Sequence, residues 1–475
     1  MAKTSRKPRG LPSPLLALIY LLLSAGPMLL AYATGASHAR WFVQIAAGTG
    51  MVAGAMILLQ MVSSGRFEAI SGRIGIDVTM AFHKWAAPVA LILALAHVVF
   101  LIGPPDAERP GRIYRRIEFF LTGGNLWDAR IALILLVILV LLALFRDRLP
   151  VRYEIWRASH GLSALGLVGT MVWHILDEGG WGLAGWLWLL FAIAVTVPAL
   201  SVYARRLTRP AQQGWRVAEI GKVAERLWKL DLAPPPDAPL SFEPGQFAWI
   251  AFGARSLPLQ DHPFSIASAP GEPRLTLLIQ EVGDFTRRIG SVAPGTPVSL
   301  DAPHGSFVPR REGPLLLIAG GVGIAPILSI LRDAAQNGSG REIRFAYAAR
   351  SAEAMVPPEM YEPACARLGI TPMLISDRAG EGEAFRKGPL TEAYLAELLD
   401  GLDPAACEVM ICGPGPMMTF AADTLMGLGV PMGRIEYERF SYSAKCMCRK
   451  DRRRLFAYAG LWAALLALIA GYGFV

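Results

Sequence analysis

The sequence predicts a multi-domain membrane protein: an all-α bundle of six transmembrane helices, an antiparallel β-barrel, an α/β nucleotide-binding domain and one further C-terminal transmembrane helix. Three observations predict it. Apolar stretches of near-bilayer length fill the first 205 residues, and four histidines recur on two of them at equal spacing. After Pro210 the pattern turns to short alternating strands, then to a strand–glycine–helix rhythm.

The bundle comes first. Of the 475 residues 53% are hydrophobic, and mean hydropathy is +0.40, high for a wholly water-soluble chain. Apolar stretches run over Pro14–Tyr32, Trp41–Val62, Val78–Ile102, Ala129–Phe145, Ile155–Leu176 and Trp181–Tyr203. Each approaches the ~20 residues that cross a bilayer as a helix. A seventh, Leu455–Val475, closes the sequence. The first follows Lys3, Arg6, Lys7 and Arg9 and contains Ala31-Tyr32-Ala33, as a signal peptide would, but its length favours a retained helix.

Short-loop arginines set the orientation. A cytoplasmic N-terminus puts the basic tail, Arg146, Arg148, Arg152 and Arg157, and then Arg205, Arg206 and Arg209 on the inner side. Arg109, Arg112, Arg115, Arg116 and Arg130, between the third and fourth spans, break that rule. The expectation is a multi-pass protein of the cell membrane with its large C-terminal region in the cytoplasm. A net charge of +8 concentrated beside the spans suits anionic lipid. No basic recognition helix suggests nucleic acid.

His83 and His97 lie on the third span, His160 and His174 on the fifth, each pair fourteen residues apart. Fourteen steps at ~3.6 residues per turn return almost to the same face, about 21 Å along the axis. In the expected topology these two spans are parallel, so His83 lies level with His160 and His97 with His174. That geometry suits two stacked b-type haems, each iron taking one imidazole from each helix.

From Trp215 to Val308 short strands alternate with turns: Val217–Ile220, Arg226–Leu232, Gln246–Phe252, Leu275–Glu281 and Pro297–Asp301. They suggest the barrel. From Pro314 the order is strand Leu315–Ala319, Gly320-Gly321-Val322-Gly323, helix Ala325–Ala335 and strand Ile343–Ala348, the βαβ rhythm of a nucleotide-binding sheet. A late strand, Cys407–Ile411, runs into Cys412-Gly413-Pro414-Gly415-Pro416-Met417-Met418. The expected boundaries are a tail at 1–13, the bundle at 14–205, the barrel at 211–310, the α/β domain at 313–440, a basic linker at 441–454 and the last helix at 455–475. All five cysteines fall in the cytoplasmic part and are expected as thiols. Cys446-Met447-Cys448 lacks the four thiolates of an iron–sulfur site.

His262-Pro263-Phe264-Ser265-Ile266-Ala267-Ser268 resembles the flavin motif of ferredoxin–NADP reductase-like proteins, in the form typical of membrane NADPH oxidases and ferric reductases. Gly283-Asp284-Phe285-Thr286 is similar to the second flavin motif, Gly320 to Ile324 with Pro326 to the pyridine-nucleotide loop, and Cys412-Gly413-Pro414 with Met417 to the Cys-Gly-Pro segment. With the four histidines, the likeness to the NADPH oxidase and ferric reductase-like family covers roughly residues 14 to 440.

The resemblance implies an FAD domain over 211–310. Phe264 would lay its ring on the isoalloxazine, Ser265 would bond flavin N5, and His262 would approach the pyrophosphate. Gly283 would admit close backbone approach, Asp284 would serve as turn or cap, and Thr286 would open a helix whose N–H groups suit the phosphates. Cys412 would sit beside the nicotinamide, and Phe440, in Tyr437-Glu438-Arg439-Phe440, would cover the flavin face. Arg350 and Ser351 follow a strand whose tip carries no acid, which favours NADPH through its 2′-phosphate. Glu353 leaves NADH open, and Arg350 can equally be a solvated arginine.

The implied function is electron transfer from NADPH through FAD and two haems to an acceptor across the membrane. O2 giving superoxide is favoured, with a ferric chelate or a periplasmic partner protein as alternatives. A nucleotide-regulated transporter or channel is the rival class. It predicts no haem, and the chain has no Gly-x-x-x-x-Gly-Lys loop.

Overall fold

The structure is a computed structural model describing residues 10–35, 40–64, 67–105, 107–109, 111–179, 182–208, 214–236, 240–253, 261–378, 385–439 and 446–474. It divides into two compact units, one built on residues 206–454, the other on 9–205 and 455–475.

The second unit is helical: α1 (Ser13–Ala33), α2 (Trp41–Gln60), α3 (Glu68–Ile74), α4 (Ile76–Ile102), α5 (Arg112–Thr122), α6 (Trp127–Leu144), α7 (Tyr153–Gly179) and α8 (Leu183–Thr208). Most of α13 (Arg449–Gly473) joins them. Among the described residues six helices are long and apolar enough to cross a membrane: α1, α2, α4, α6 with the turn before it, α8 and α13. The fifth expected span forms α7, 27 residues long but outside that set, because two histidines and scattered Ser, Thr and Gly dilute its hydropathy. These helices make the chain a membrane protein.

α2 is the centre of the bundle, 67% buried over its apolar window against 17–28% for the other five. Its run of Ala46, Ala47, Gly48, Thr49 and Gly50 explains why. Small residues let neighbouring helices approach closely. A methyl on Gly48 would lie 3.1 Å from Tyr472 of α13, and one on Gly50 only 2.5 Å from Nδ1 of His97. Tyr458 and Trp462 of α13 pack on Phe82 of α4, at 5.1 and 6.3 Å between ring centroids. The C-terminal helix therefore packs within the bundle.

α5 was expected only as loop, and it explains part of the broken charge rule. The Arg116 guanidinium donates to the carbonyls of Leu101 (3.1 Å) and Ile102 (2.5 Å), closing the last turn of α4. Arg130 does the same for α5 through Leu121 (2.7 Å) and Gly123 (2.8 Å). Two of the five exceptional arginines thus satisfy orphan helix-end carbonyls.

In the first unit, β1 (Arg216–Ala224), β2 (Leu227–Ala233), β3 (Phe247–Phe252), β4 (His262–Ser265), β5 (Leu275–Gln280) and β6 (Val298–His304) form two antiparallel three-stranded sheets, ordered β1-β2-β5 and β4-β3-β6. The strands of the expected antiparallel barrel are thus arranged as two sheets. Among the described residues the sheets join at bridges from Ile266 to Leu277 and from Arg216 to Pro297, where the N–H groups of Ala267 and Val298 donate to the carbonyls of Thr276 and Trp215. Pro263 on edge strand β4 and Pro297 at the start of β6 have no N–H with which to extend a ladder.

The α/β region holds β7 (Leu315–Gly320), β8 (Ile343–Ala349), β9 (Met373–Ser376), β10 (Arg386–Lys387), β11 (Glu408–Cys412) and β12 (Ile435–Glu438), with α9 (Ile324–Asn337), α10 (Glu362–Leu368), α11 (Glu392–Leu399) and α12 (Gly415–Gly427). All pairs are parallel, in the order β10-β9-β8-β7-β11-β12. The order reverses between β7 and β11, both wholly buried. The crevice at the carboxyl ends of those two strands is the place where such sheets bind ligands.

Candidate functional site

In the helical unit the four histidines lie half-buried on α4 and α7. His83 falls within Coulombic range of His160, and His97 of His174. Nδ1 of His97 is 2.7 Å from the Ala46 carbonyl, which can only accept, so that nitrogen carries the proton. Gly50 makes this possible by having no Cβ where the ring lies. Nδ1 of His83 is 3.1 Å from the Ser63 hydroxyl. That hydroxyl donates its only hydrogen to Oε1 of Gln60 at 2.7 Å, so toward His83 it accepts. Both α4 histidines are thereby held as Nδ1–H tautomers with the Nε2 lone pair free to bind a metal.

On α7, Nδ1 of His174 faces Oδ2 of Asp128 at 3.5 Å, and His160 stacks on Trp156 at 5.2 Å. Ser63, Gln60 and Asp128 were not anticipated from sequence. For Asp128 a signal existed, an acid at the start of an apolar span.

In the other unit the flavin motif is strand β4, paired with β3 so that Ser265 opposes Phe247 and His262 opposes Ile250. Ser265, Ile266, Ala267 and Ser268 are buried, while Phe264 is half-exposed. Phe285 gathers rings around itself: His262 at 3.9 Å, Phe252 at 5.8 Å and Phe264 at 6.3 Å, all within 24° of parallel. His262 is thus one face of an aromatic patch. The Thr286 hydroxyl accepts from the N–H groups of Val282 (2.9 Å) and Gly283 (3.0 Å), shaping the turn ahead of a short 3-10 helix, Thr286–Ser291. A methyl on Gly283 would meet nothing within 4 Å, so any need for glycine there comes from a ligand. Asp284 offers its carbonyl to Arg288.

The nucleotide-motif residues converge although about ninety residues separate them. Gly320 ends β7, Gly321 takes a left-handed φ of +52°, and Val322, Gly323, Ile324 and Pro326 lead into α9. A methyl on Gly323 would lie 2.2 Å from the Cys412 carbonyl oxygen, and one on Gly320 2.6 Å from Met417 Sδ and 2.8 Å from Pro414. The first glycine loop therefore presses directly on Cys412-Gly413-Pro414. At the end of β8, Arg350 is exposed and Ser351 buried. Hydrogen bonds from its own backbone N–H, then from the Ser351 hydroxyl, hold the Glu353 carboxyl below the usual range. Ser351 is therefore already engaged by an acid.

The residue that joins the two motif groups is Glu438. Its Oε2 accepts from the Ser265 hydroxyl at 3.3 Å, and its carbonyl accepts from the Cys412 thiol at 3.7 Å, with Cys412 and Glu438 opposite each other in the β11–β12 ladder. Cys412 is fully buried, and desolvation, with Glu438 adding, pushes its thiol well above the ordinary value. It is a neutral thiol enclosed at the end of β11. Sequence reading had reached the Tyr437–Phe440 segment but chosen Phe440, which lies outside the described residues. All five cysteines are free thiols.

The residues flanking Glu438 are tied to the start of α13. Asp451 accepts from Tyr437 Oη, from Arg439 at 2.6 Å and from the Cys448 N–H at 3.2 Å, which caps the helix. Lys450 reaches Glu436 at 3.1 Å and Arg452 reaches Asp423 at 3.7 Å. Much of the expected basic linker is thus committed to protein.

Comparison with known proteins agrees with this division. Residues 49–171 match the ferric reductase like transmembrane component, 213–301 an FAD-binding domain and 317–423 the oxidoreductase NAD-binding domain. The reductase component of propane 2-monooxygenase from Rhodococcus jostii is 27% identical over 239 residues, 48% of this chain and 64% of that protein. The corresponding component from Gordonia is 30% identical over 227 residues, 46% of this chain and 63% of that protein. The chain thus spans under two thirds of the length of these relatives. Among solved structures, an Amycolatopsis cytochrome P450 reductase aligns with a TM-score of 0.43 at 23% identity, over 48% of this chain and 69% of that one. The chain therefore joins a region matching the ferric reductase like transmembrane component to an FAD-binding domain and an oxidoreductase NAD-binding domain.

Proposed function

We propose that this oxidoreductase carries electrons from cytoplasmic NADPH through FAD and two b-type haems to an acceptor on the opposite side of the membrane, O2 giving superoxide. The observation that carries the reading is the histidine geometry: two imidazoles at each of two levels, with both α4 rings presenting Nε2. Among the described residues no three metal-binding side chains converge, and a porphyrin needs only two from the protein. The residues fit the group. His83 with His160 would hold the haem nearer the cytoplasm, and His97 with His174 the other. FAD, when bound, accepts a two-electron hydride and returns electrons singly, which is what connects a nicotinamide to haem iron.

The dehydrogenase residues then divide the work. The patch of Phe264 and Phe285 offers a flat apolar wall for the flavin. Ser265, whose hydroxyl is held by Glu438, would lie at flavin N5. Cys412, fully buried at the end of β11, would back the nicotinamide site and help keep water from the hydride path. The glycine loops let backbone approach the nucleotide phosphates, and Arg350 receives the 2′-phosphate. Glu353, anchored by Ser351, is the feature on which NADH use would rest. Phe440 would cover the flavin until the nicotinamide stacks. The positive-inside pattern supports a cytoplasmic N-terminus and dehydrogenase region.

A ferric-chelate reductase is the second reading, favoured by exposed Arg115 on α5, which would attract an anionic complex. The test is anaerobic addition of NADPH to the purified full chain in detergent. Flavin bleaching followed by the sharp bands of reduced b-type haem is expected. Air should then yield dismutase-sensitive superoxide faster than ferric citrate is reduced. Bleaching with no haem bands would end the haem reading, and preferential ferric reduction would exchange the acceptors.

A further inference from the structure

The two histidine levels differ in what stands behind the rings. At the His83/His160 level the partners are neutral: the Ser63 hydroxyl on His83 and the Trp156 face on His160, whose buried Nδ1 has no hydrogen-bond partner among the described residues. At the His97/His174 level they are electron-rich: the Ala46 carbonyl at 2.7 Å and the Asp128 carboxylate at 3.5 Å. Asp128 is 1% exposed, and neither of its oxygens is hydrogen-bonded by another described residue. A carboxylate taken out of water into an apolar span is costly unless a positive group or an N–H donor faces it. Among the described residues the group that faces it is the His174 imidazole, with Nδ1 3.5 Å away.

We propose that Asp128 is a positioning residue for His174, and that it makes the haem at the His97/His174 level the harder of the two to reduce. This rests on the haem reading above. A carboxylate behind a ligating imidazole fixes the ring orientation, holds the proton on Nδ1 and raises the basicity of Nε2. A more basic ligand, with a negative charge beyond it, favours ferric over ferrous iron. The order has a functional sense, since the haem that meets the acceptor is then the stronger one-electron donor. The rival explanation is that Asp128, in the first turn of α6, only complements that helix's dipole. A dipole role affects stability and leaves haem potentials alone.

The test is an anaerobic potentiometric titration of the full chain in nanodiscs, with low-spin ferric EPR, for wild type, Asp128→Asn, Asp128→Glu and Ser63→Ala. Asp128→Asn should make one haem about tenfold easier to reduce, about 59 mV for one electron. It should be the lower-potential haem, the one lost in His97→Ala, and its EPR signal alone should move. Asp128→Glu should restore most of the wild-type value, and Ser63→Ala should move only the other haem. If Asp128→Asn does not fold, Asp128→Ser, which also removes the carboxylate, must raise that same midpoint. Haem present with both midpoints unchanged in the variants that lack the carboxylate overturns the proposal. A wild-type protein without haem bands overturns the haem reading on which it rests.

Discussion

The helical unit and the dehydrogenase unit place their chemistry in opposite ways. In the first, the candidate ligands sit in the middle of helices, and one periodicity aligns them, fourteen residues on α4 and fourteen on α7. In the second, the functional groups sit at strand ends and glycine turns, and long chain returns assemble them. Ser265 and Glu438 are 173 residues apart and meet at 3.3 Å. A helix interior is rigid enough to hold a heavy planar cofactor at a set depth. A strand end exposes backbone N–H and C=O groups to a ligand that must enter and leave. The difference teaches that the two halves fail differently: the first by losing a whole cofactor, the second by degrees.

The largest effect expected in the dehydrogenase unit comes where backbone meets backbone. Gly323→Ala would push a methyl to 2.2 Å from the Cys412 carbonyl, so the loop must move. Overpacking of this kind costs about 1–3 kcal/mol. Thermal unfolding should begin lower and nucleotide-driven flavin reduction should be lost, whereas Gly283→Ala, with open space around it, should unfold normally and only retain less FAD. Equal behaviour of the two variants would break the contrast.

Next comes Ser265→Ala, which removes the hydroxyl held by Glu438. A hydrogen bond to a charged group is worth about 1.5–3 kcal/mol, so stopped-flow flavin reduction should slow roughly tenfold or more while FAD stays bound. Unchanged rates would take Ser265 out of the hydride path. Arg350→Ala should raise KM for NADPH by a similar factor through loss of a charge-assisted phosphate contact, with KM for NADH little changed. Equal small changes for both nucleotides would return Arg350 to a solvated arginine.

The smallest effect is one of pH. Burial, with Glu362 adding, raises the Cys365 thiol to about 11, above the unfolded value of about 8.5. The folded protein therefore holds that proton more tightly. The associated stability is full below the unfolded value and is lost as pH rises through about 11. Iodoacetamide should label Cys365 slowly at pH 8 and faster as pH nears that value, and rapid labelling at pH 8 would contradict its burial.

Legibility followed the same divide. The spans, the histidine pairs and the strand at 315–320 repeat or stand in a single run, so chain order alone exposes them. α7 was recognisable as an apolar stretch, Ile155–Leu176, and its histidines matched those of α4 in spacing. The antiparallel strands were legible as alternation, but periodicity did not say how they divide into two sheets, with Pro263 and Pro297 where a ladder N–H is missing. Glu438 stayed hidden because an acid in Tyr-Glu-Arg-Phe means nothing until β12 pairs with β11 and returns it to Ser265. Asp451 was read as part of a basic linker, although it is the acid that ties Tyr437 and Arg439 to α13.

The central claim is that two imidazole pairs hold two haems at separate levels. The measurement is haem per chain, by pyridine haemochrome assay, in purified wild type, His97→Ala and His83→Ala, with flavin counted in the same samples. The account predicts two haems in wild type and one in His97→Ala, with NADPH still bleaching the flavin in each protein. The haem surviving in His97→Ala should differ spectrally from any surviving in His83→Ala. Two haems with unchanged spectra in either variant, or none in wild type, would contradict it.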